Sequence, residues 1–304
     1  MKANEEKGTK NNMELYSIAV AVRPLQAGSI PLAHGYHVYA LLLNIIRSSD
    51  AALAEKLHAG ETVKPFTVST LTGKMRRNKA QLAISSDTTL YLRYTFLDSA
   101  VFSHFMDGAL RWGSRPVEIA GLSFSVEEVV TAPRADLSVS FFSYQGILRE
   151  ANATRQIDME FVTPTVFRSG GKRNNIFPEP ALVFGSYWNK WQALSPVKMN
   201  DDLNSYFENI NVTRYQLESG IWDFGSYQEV GYSGACRFEI DRNLPDDKAV
   251  LINALASFAQ FCGTGAKTTM GMGQTRRILN ASSLSRGAGL HPEKGRRDLP
   301  GYQK

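Results

Sequence analysis

The chain from Glu14 to Arg23 carries apolar residues at alternating places, with Leu15, Ile18, Val20 and Val22 prominent, the pattern of a half-buried strand. The period then changes. Across Gly35 to Arg47, Tyr36, Tyr39, Ala40, Leu43 and Ile46 fall on one helical face. A shorter helix is predicted over Ala51 to His58, with Gly60 as its C-terminal cap. Strands follow at Phe66–Leu71, Gln81–Ser85 and Leu90–Phe96, then a helix from Ser99 to Trp112. Strands near Val117–Ala120 and Leu122–Thr131 close this half.

The second half repeats the sequence of periods less regularly. Arg155 to Pro164 reads as a strand leading into a turn-rich loop, Arg168 to Pro180. Ala181 to Leu194 is helical, with Leu182, Tyr187, Trp188 and Trp191 supplying bulk. Strands are expected at Val212–Gly220 and Ala235–Asp241. A second helix spans Asp246 to Phe261, its apolar stripe formed by Val250, Leu251, Ala254, Leu255, Phe258 and Phe261. Met272 to Leu279 is the last strand. Without the short extra helix and the added strand pairs, each half runs β-α-β-β-α-β. The fold class is therefore α+β, two tandem ferredoxin-like (RRM-like) domains. The expected divisions are a flexible N-terminus (1–12), an N-terminal domain (13–132), a C-terminal domain (133–280) and a flexible basic tail or linker (281–304). The boundary is set by the stretch around Pro133.

A chain of 304 residues with 43% apolar and 21% charged positions can bury two such cores. No apolar run reaches the length of a membrane span, and residues 1–12 lack the apolar centre of a signal peptide. The cysteines, Cys236 and Cys262, lie in apolar surroundings with no metal-binding spacing, so buried thiols in a reducing cytoplasm are expected.

The net charge of +5 changes this picture little, because the tail and the extreme N-terminus carry most of it. Local clusters say more. Lys74, Arg76, Arg77 and Lys79 form one, Arg168, Lys172 and Arg173 a second, Lys267, Arg276 and Arg277 a third. Each suits a phosphate-binding edge, and each also suits a solvated turn.

The sharpest feature lies between the last helix and the last strand, where Gly263, Gly265, Gly271 and Gly273 fall close together. Exposed amides of such a loop can cradle phosphates, with Lys267 and Arg276 adding charge. A P-loop is excluded because Ala266 precedes Lys267 and a helix precedes the loop. A dinucleotide fingerprint is excluded because Thr268 stands where a third glycine belongs. A plain helix-to-strand turn would need one or two glycines, fewer than are present. An RNA-backbone contact is the favoured reading.

At this loop the chain resembles the CRISPR-associated repeat-RNA endoribonucleases, the Cas6 family of the RAMP superfamily. Gly263 to Gly273 fits the family's C-terminal glycine signature. Ile30 to Tyr39 resembles the approach to its first helix. Ser48 to His58 followed by Lys64 to Ser69 resembles its second block. Phe161 to Thr165, with Phe177 to Pro180 and Trp191, resembles its central segment. The resemblance spans about residues 13 to 280.

The resemblance implies two ferredoxin-like halves and cleavage of precursor CRISPR RNA within each repeat. Attack by the RNA's own 2′-hydroxyl leaves a 2′,3′-cyclic phosphate and a 5′-hydroxyl, with no metal and no cofactor. It also implies that His58 is the base or acid and Lys64 the charge stabiliser. An imidazole with its ordinary pKa of about 6.5 suits either proton role, and a lysine suits the developing charge on the phosphorane. His34 and His37, three residues apart at the start of the first helix, are candidates for the second proton carrier. Leu43 stands where some relatives have a tyrosine, and leucine cannot transfer a proton. Arg76, Arg77, Lys172 and Arg173, with the loop residues Gly263, Gly265, Lys267, Gly271, Gly273 and Arg276, are expected to contact the RNA.

Repeat RNA is the expected partner. CRISPR effector or adaptation proteins are candidate protein partners, and a homodimer stays open. Two rival readings remain: a non-catalytic RNA-binding scaffold of a CRISPR effector complex, and a nucleotide-dependent enzyme using the glycine loop for a cofactor.

Overall fold

The computed structural model describes residues 14–59, 63–169, 173–199 and 201–278. The first unit contains β1 (Leu15–Pro24), β2 (Gly28–Pro31), α1 (Gly35–Ser49), α2 (Ala51–Ala59) and β3 (Phe66–Val68). It continues with β4 (Arg76–Asn78), β5 (Gln81–Ile84), β6 (Leu90–Phe96) and α3 (Ser99–Trp112). β7 (Val117–Ile119) and β8 (Leu122–Val130) complete it. β9 (Ser140–Phe142) and α4 (Tyr144–Glu150) lead to β10 (Gln156–Thr165). The second unit continues with β11 (Phe167–Ser169), β12 (Arg173–Asn175), α5 (Pro180–Leu194), β13 (Ile210–Asp223), β14 (Gln228–Ile240), α6 (Asp246–Cys262) and β15 (Thr275–Ile278).

The strand orders are those of two ferredoxin-like units. The first sheet runs β3-β6-β1-β8-β7 and the second β13-β14-β10-β15, all neighbours antiparallel. In each, the first strand of the βαββαβ unit lies between its third and fourth, and the second strand takes the edge. β9 adds to the first sheet by pairing with β1, although it follows the expected boundary at Pro133.

Alternation decides which strand faces are buried. Leu90, Leu92, Tyr94 and Phe96 of β6 are buried with Val38, Leu42 and Ile46 of α1. The second core gathers Trp191, Phe184, Phe207, Phe238, Phe258 and Phe261. Burying one such side chain contributes about 1.5–3 kcal/mol. Asp98 caps α3 by accepting from the amides of Ala100 and Val101.

Polar groups tie the two units along a seam. The half-buried Arg93 donates to Gln274 Oε1 (2.9 Å), the carbonyl of Gln260 (2.6 Å) and Ser17 Oγ (2.8 Å). Thr95 Oγ1 donates to the carbonyl of Phe261 (2.6 Å), and Gln274 Nε2 to that of Val68 (3.0 Å). Burial lowers the Arg93 guanidinium to about 10, still far above neutrality.

The predicted strands Val212–Gly220 and Ala235–Asp241 are parts of a longer hairpin, β13–β14. The hairpin exceeds both predicted strands because much of β13 is exposed, so core alternation is missing there. The loop expected over Arg168–Pro180 contains the β11–β12 hairpin. β2, β5 and β4 form a small separate sheet. Gly60, residues 1–12 and the tail 281–304 lie outside the described residues. No described helix is long and apolar enough to cross a membrane, and both cysteines are buried.

Candidate active site and nucleic-acid interface

α1 and α2 meet β3 at an exposed corner, where the last turn of α2 presents the exposed His58. Tyr39, one face of α1, is buried among Phe66 and the other rings of the first core. Its hydroxyl lies 3.4 Å from His58 Nδ1, and the two rings stack with centroids 6.3 Å apart. Lys64 Nζ donates to the carbonyl of Leu57 at 2.5 Å and, at 3.4 Å, to that of His58. An ammonium at this end of α2 is favoured by the unsatisfied carbonyls there. Burial pulls the Lys64 amine below its ordinary value and pushes the Tyr39 phenol up, with Tyr36 adding to the latter. The phenol therefore stays protonated near neutrality.

Tyr39 was legible in the sequence only as a core position. A clue lay in its type: a buried tyrosine hydroxyl needs a partner, and leucine or phenylalanine would fill the same space without one. Leu43, one turn further along α1, is buried. The phenol of this corner thus comes from Tyr39.

The two histidines at the start of α1 have different surroundings. His34 is fully buried: Nδ1 donates to the carbonyl of Pro31 (2.8 Å) and Nε2 accepts from the Leu71 amide (2.7 Å). Both nitrogens of a neutral imidazole are then used. Burial drops its pKa to about 4. His34 pins β2 and the start of α1 to the segment after β3, so neither nitrogen is free for a substrate. The expectation of His34 as a proton carrier is corrected on this ground. His37 is exposed, edge-on to Tyr36 with centroids 6.0 Å apart.

The glycine loop lies where the pattern placed it, between α6 and β15, and packs against the first unit. Gly263, Gly265, Gly271 and Gly273 all have positive φ. A Cβ on Gly265 would meet the Val166 carbonyl oxygen at 2.4 Å, and one on Gly273 would meet that of Thr264 at 2.0 Å. Opposite them, a Cβ on Gly35 of α1 would meet the Met270 carbonyl oxygen at 2.0 Å. All four glycines thus have a conformational reason, and three of them, Gly263, Gly265 and Gly273, have a steric one as well.

The loop's amides are also largely spent. Thr264 N donates to the Gly273 carbonyl (2.8 Å), Ala266 N to that of Val166 (2.9 Å) and Gly273 N to that of Pro164 (3.0 Å). Gly263, Gly271 and Gly273 are buried. The expectation of a run of exposed amides is therefore corrected: the glycines let the loop wedge between the units. Only Gly265 to Lys267, Thr269 and Met270 keep partial exposure.

The predicted cations are dispersed. Arg76 and Arg77 are exposed on β4, but adjacent strand residues point to opposite faces, so they form no single contact. Arg173 is on β12, and Lys172 lies outside the described residues. Lys267 and Arg276 are both paired. Arg276 Nε donates to Glu160 Oε2 (2.6 Å), and Lys267 Nζ lies 3.7 Å from Glu229 Oε1. Lys267 also bonds the Tyr227 hydroxyl. Among the described residues, no three His, Cys, Asp or Glu side chains come together to hold a metal ion.

Comparison with known proteins points to one family for both halves of the chain. The model of the CRISPR-associated endoribonuclease Cas6 matches residues 159–275, and that of the N-terminal part of Cas6 of type I-A matches residues 29–130. CRISPR-associated endoribonuclease Cas6 of Mycobacterium tuberculosis is 31% identical over 125 residues, covering 40% of this chain and 39% of that protein. The Streptococcus thermophilus protein of the same name is 31% identical over 116 residues, 37% of this chain and 46% of its own. These matches span less than half the length of either relative.

Solved structures cover more. A Cas6 product complex superposes with a TM-score of 0.74 at 25% identity, over 87% of this chain and 99% of that one. Thermus thermophilus Cas6 superposes at 0.68 and 24% identity, over 88% and 99%. With one Cas6 model matching each half and the same tandem fold in solved members, this chain belongs to the Cas6 family.

Proposed function

We propose that this protein binds the repeat segments of a CRISPR transcript and cuts within each repeat through the RNA's own 2′-hydroxyl. The products are a 2′,3′-cyclic phosphate and a 5′-hydroxyl. The observation that carries the reading is the Tyr39–His58–Lys64 corner, where one nitrogen of His58 meets a buried phenol and the Lys64 ammonium sits on the carbonyls of Leu57 and His58.

The chemistry follows from those contacts. As general acid His58 is an imidazolium: Nδ1–H donates to the Tyr39 oxygen and Nε2–H passes its proton to the departing 5′ oxygen, leaving the ring neutral. As general base the ring is neutral with Nδ1–H still donating to that oxygen, and its Nε2 lone pair takes the 2′-hydroxyl proton. The Tyr39 oxygen accepts in both states, so it orients the ring whichever proton role His58 has. Lys64 supplies positive charge beside the phosphorane. His37, exposed at the start of α1, is the candidate for the second proton transfer; His34 is left out because both its nitrogens are occupied.

RNA binding is assigned to the seam between the units, where the partly exposed stretch Gly265–Met270 borders the start of α1. Arg76, Arg77 and Arg173 are candidate contacts with more distant phosphates. The presence of His58 and Lys64 together with the Tyr39 phenol favours this reading over a non-catalytic scaffold. The test is an incubation in EDTA of the protein with a transcript of its cognate repeat, beside a scrambled repeat. Cleavage at one position of the cognate repeat, with 5′ ends that accept label directly from a polynucleotide kinase, is the expected result. An intact transcript would refute the nuclease reading, and 5′-phosphate ends would refute the 2′-hydroxyl mechanism.

A further inference from the structure

At the far end of the β13–β14 hairpin, a well-fixed turn carries two aromatic rings. The turn is built by Asp223, whose carboxylate accepts from the Gly225 amide (2.8 Å) and from Gln228 Nε2 (3.0 Å). Phe224 N donates to the Tyr227 carbonyl at 3.0 Å, and Gly225 takes φ +86°. The rings of Phe224 and Tyr227 stack with centroids 4.9 Å apart and planes 25° from parallel. Tyr227 nevertheless keeps 41% of its surface exposed.

A second set of contacts ties this turn to the glycine loop. Lys267 Nζ bonds the Tyr227 hydroxyl and lies 4.3 Å from its ring centroid and 5.0 Å from that of Phe224. Glu229, 8% exposed, sets its Oε1 3.7 Å from both Lys267 Nζ and Arg168 Nη2, while its Oε2 accepts from Asn174 Nδ2 (2.7 Å). Arg168 is 65% exposed, and its fork meets Glu229 only at that distance. The Arg168 guanidinium and the Tyr227 ring are therefore separated by one carboxylate and one ammonium.

A core has no use for this arrangement. An exposed aromatic ring is held rigid from two sides, so stacking against it costs little ordering. A largely unused guanidinium stands beside it, oriented by a buried carboxylate. A flat apolar face next to a fork of donors matches a nucleobase joined to its phosphate. We propose that the hairpin turn is an anchoring subsite for one unpaired nucleotide of the bound RNA, its base stacked on Tyr227 and its phosphate held by Arg168.

Lys267 and Glu229 are positioning residues here: the lysine locks the ring and the carboxylate aims the arginine. This changes the part read for Lys267 in the sequence, from a phosphate ligand to a brace. The subsite rests on the reading that the protein binds repeat RNA, and it adds a foothold outside the seam.

The experiment uses the full chain and repeat RNAs carrying 2-aminopurine at one unpaired position each. Affinity and fluorescence are measured for the natural protein and for Tyr227→Phe, Tyr227→Leu and Arg168→Gln. One position should be quenched on binding by the natural protein and by the Phe variant, and not by the Leu variant. Tyr227→Leu should lose about tenfold in affinity. Arg168→Gln should reduce the slope of log K against log salt by about 0.7, the loss of one single-strand phosphate contact.

If the natural protein binds the RNA but the variants match it within twofold and no quenching depends on Tyr227, the subsite is refuted while the RNA reading stands. If the natural protein binds no repeat RNA, both fall. Displacement of the quenched base by micromolar nucleoside 5′-monophosphate would overturn the strand-anchoring claim in favour of a free-nucleotide site.

Discussion

The glycine loop and the His58 corner are both parts of the family resemblance, yet the structure treats them in opposite ways. In the loop, buried glycines and paired cations leave few groups free, and backbone hydrogen bonds close the loop on itself. At the corner, an exposed imidazole is held by one long contact to Tyr39, with a lysine close by. Full satisfaction builds rigidity, while chemistry needs groups with unspent capacity beside a firm support. The loop is accordingly the wedge that sets the two units, and the corner is where the proposed proton transfers belong.

That contrast can be broken from either side. The largest effect is expected at the corner: His58→Ala should slow single-turnover cleavage by about 10²-fold or more while leaving RNA affinity near that of the natural protein. A rate within a few-fold would move the proton role to His37. On the loop side, Gly273→Ala combines positive φ with a Cβ aimed at the Thr264 carbonyl. It should cost about 3 kcal/mol in urea unfolding, and activity should fall only as the fold does. A stable Gly273→Ala protein that no longer binds RNA would instead give the buried end of the loop, and not only Gly265–Met270, a direct part in RNA binding.

His34 sharpens the comparison through pH. Its folded pKa of about 4 lies below the ordinary 6.5, so between those values the unfolded chain binds more protons. Stability should therefore fall as pH drops from about 6.5 towards 4, by up to about 3 kcal/mol from this group. His34→Gln should lower stability at pH 8 and flatten that acid branch, as read by urea melts across the range. The smallest effect is expected at Tyr39→Phe, about three- to tenfold in rate, with a shifted pH–rate profile as the mark of an oriented imidazole. An unaltered profile would reduce Tyr39 to packing.

Much of the fold was readable in the residue pattern, and particular elements show why. β6 and α3 match their predicted limits because Leu90, Leu92, Tyr94 and Phe96 alternate cleanly and Asp98 caps the helix. The strand predicted over Val212–Gly220 stops short of Ile221–Asp223 because the far part of β13 is largely exposed, and nothing there enforces alternation. The candidate site was legible in its residue types and not in its contacts. Four glycines in a short loop looked like more than a turn could need, yet the demand comes from carbonyls such as that of Val166, almost a hundred positions away in the chain. Lys267 looked free until Glu229 closed on it, and Tyr39 looked like core until its hydroxyl met His58. Pairings of that kind are set by the fold and leave no local period.

The most direct test of the central claim is single-turnover cleavage of a cognate repeat RNA carrying one 2′-deoxy nucleotide at the cut site, with binding measured in parallel. The account predicts that this RNA binds as tightly as the all-ribose repeat and stays whole. Cleavage of the deoxy RNA at the same position would contradict it, because the attacking group would then have to come from elsewhere than the ribose beside the bond.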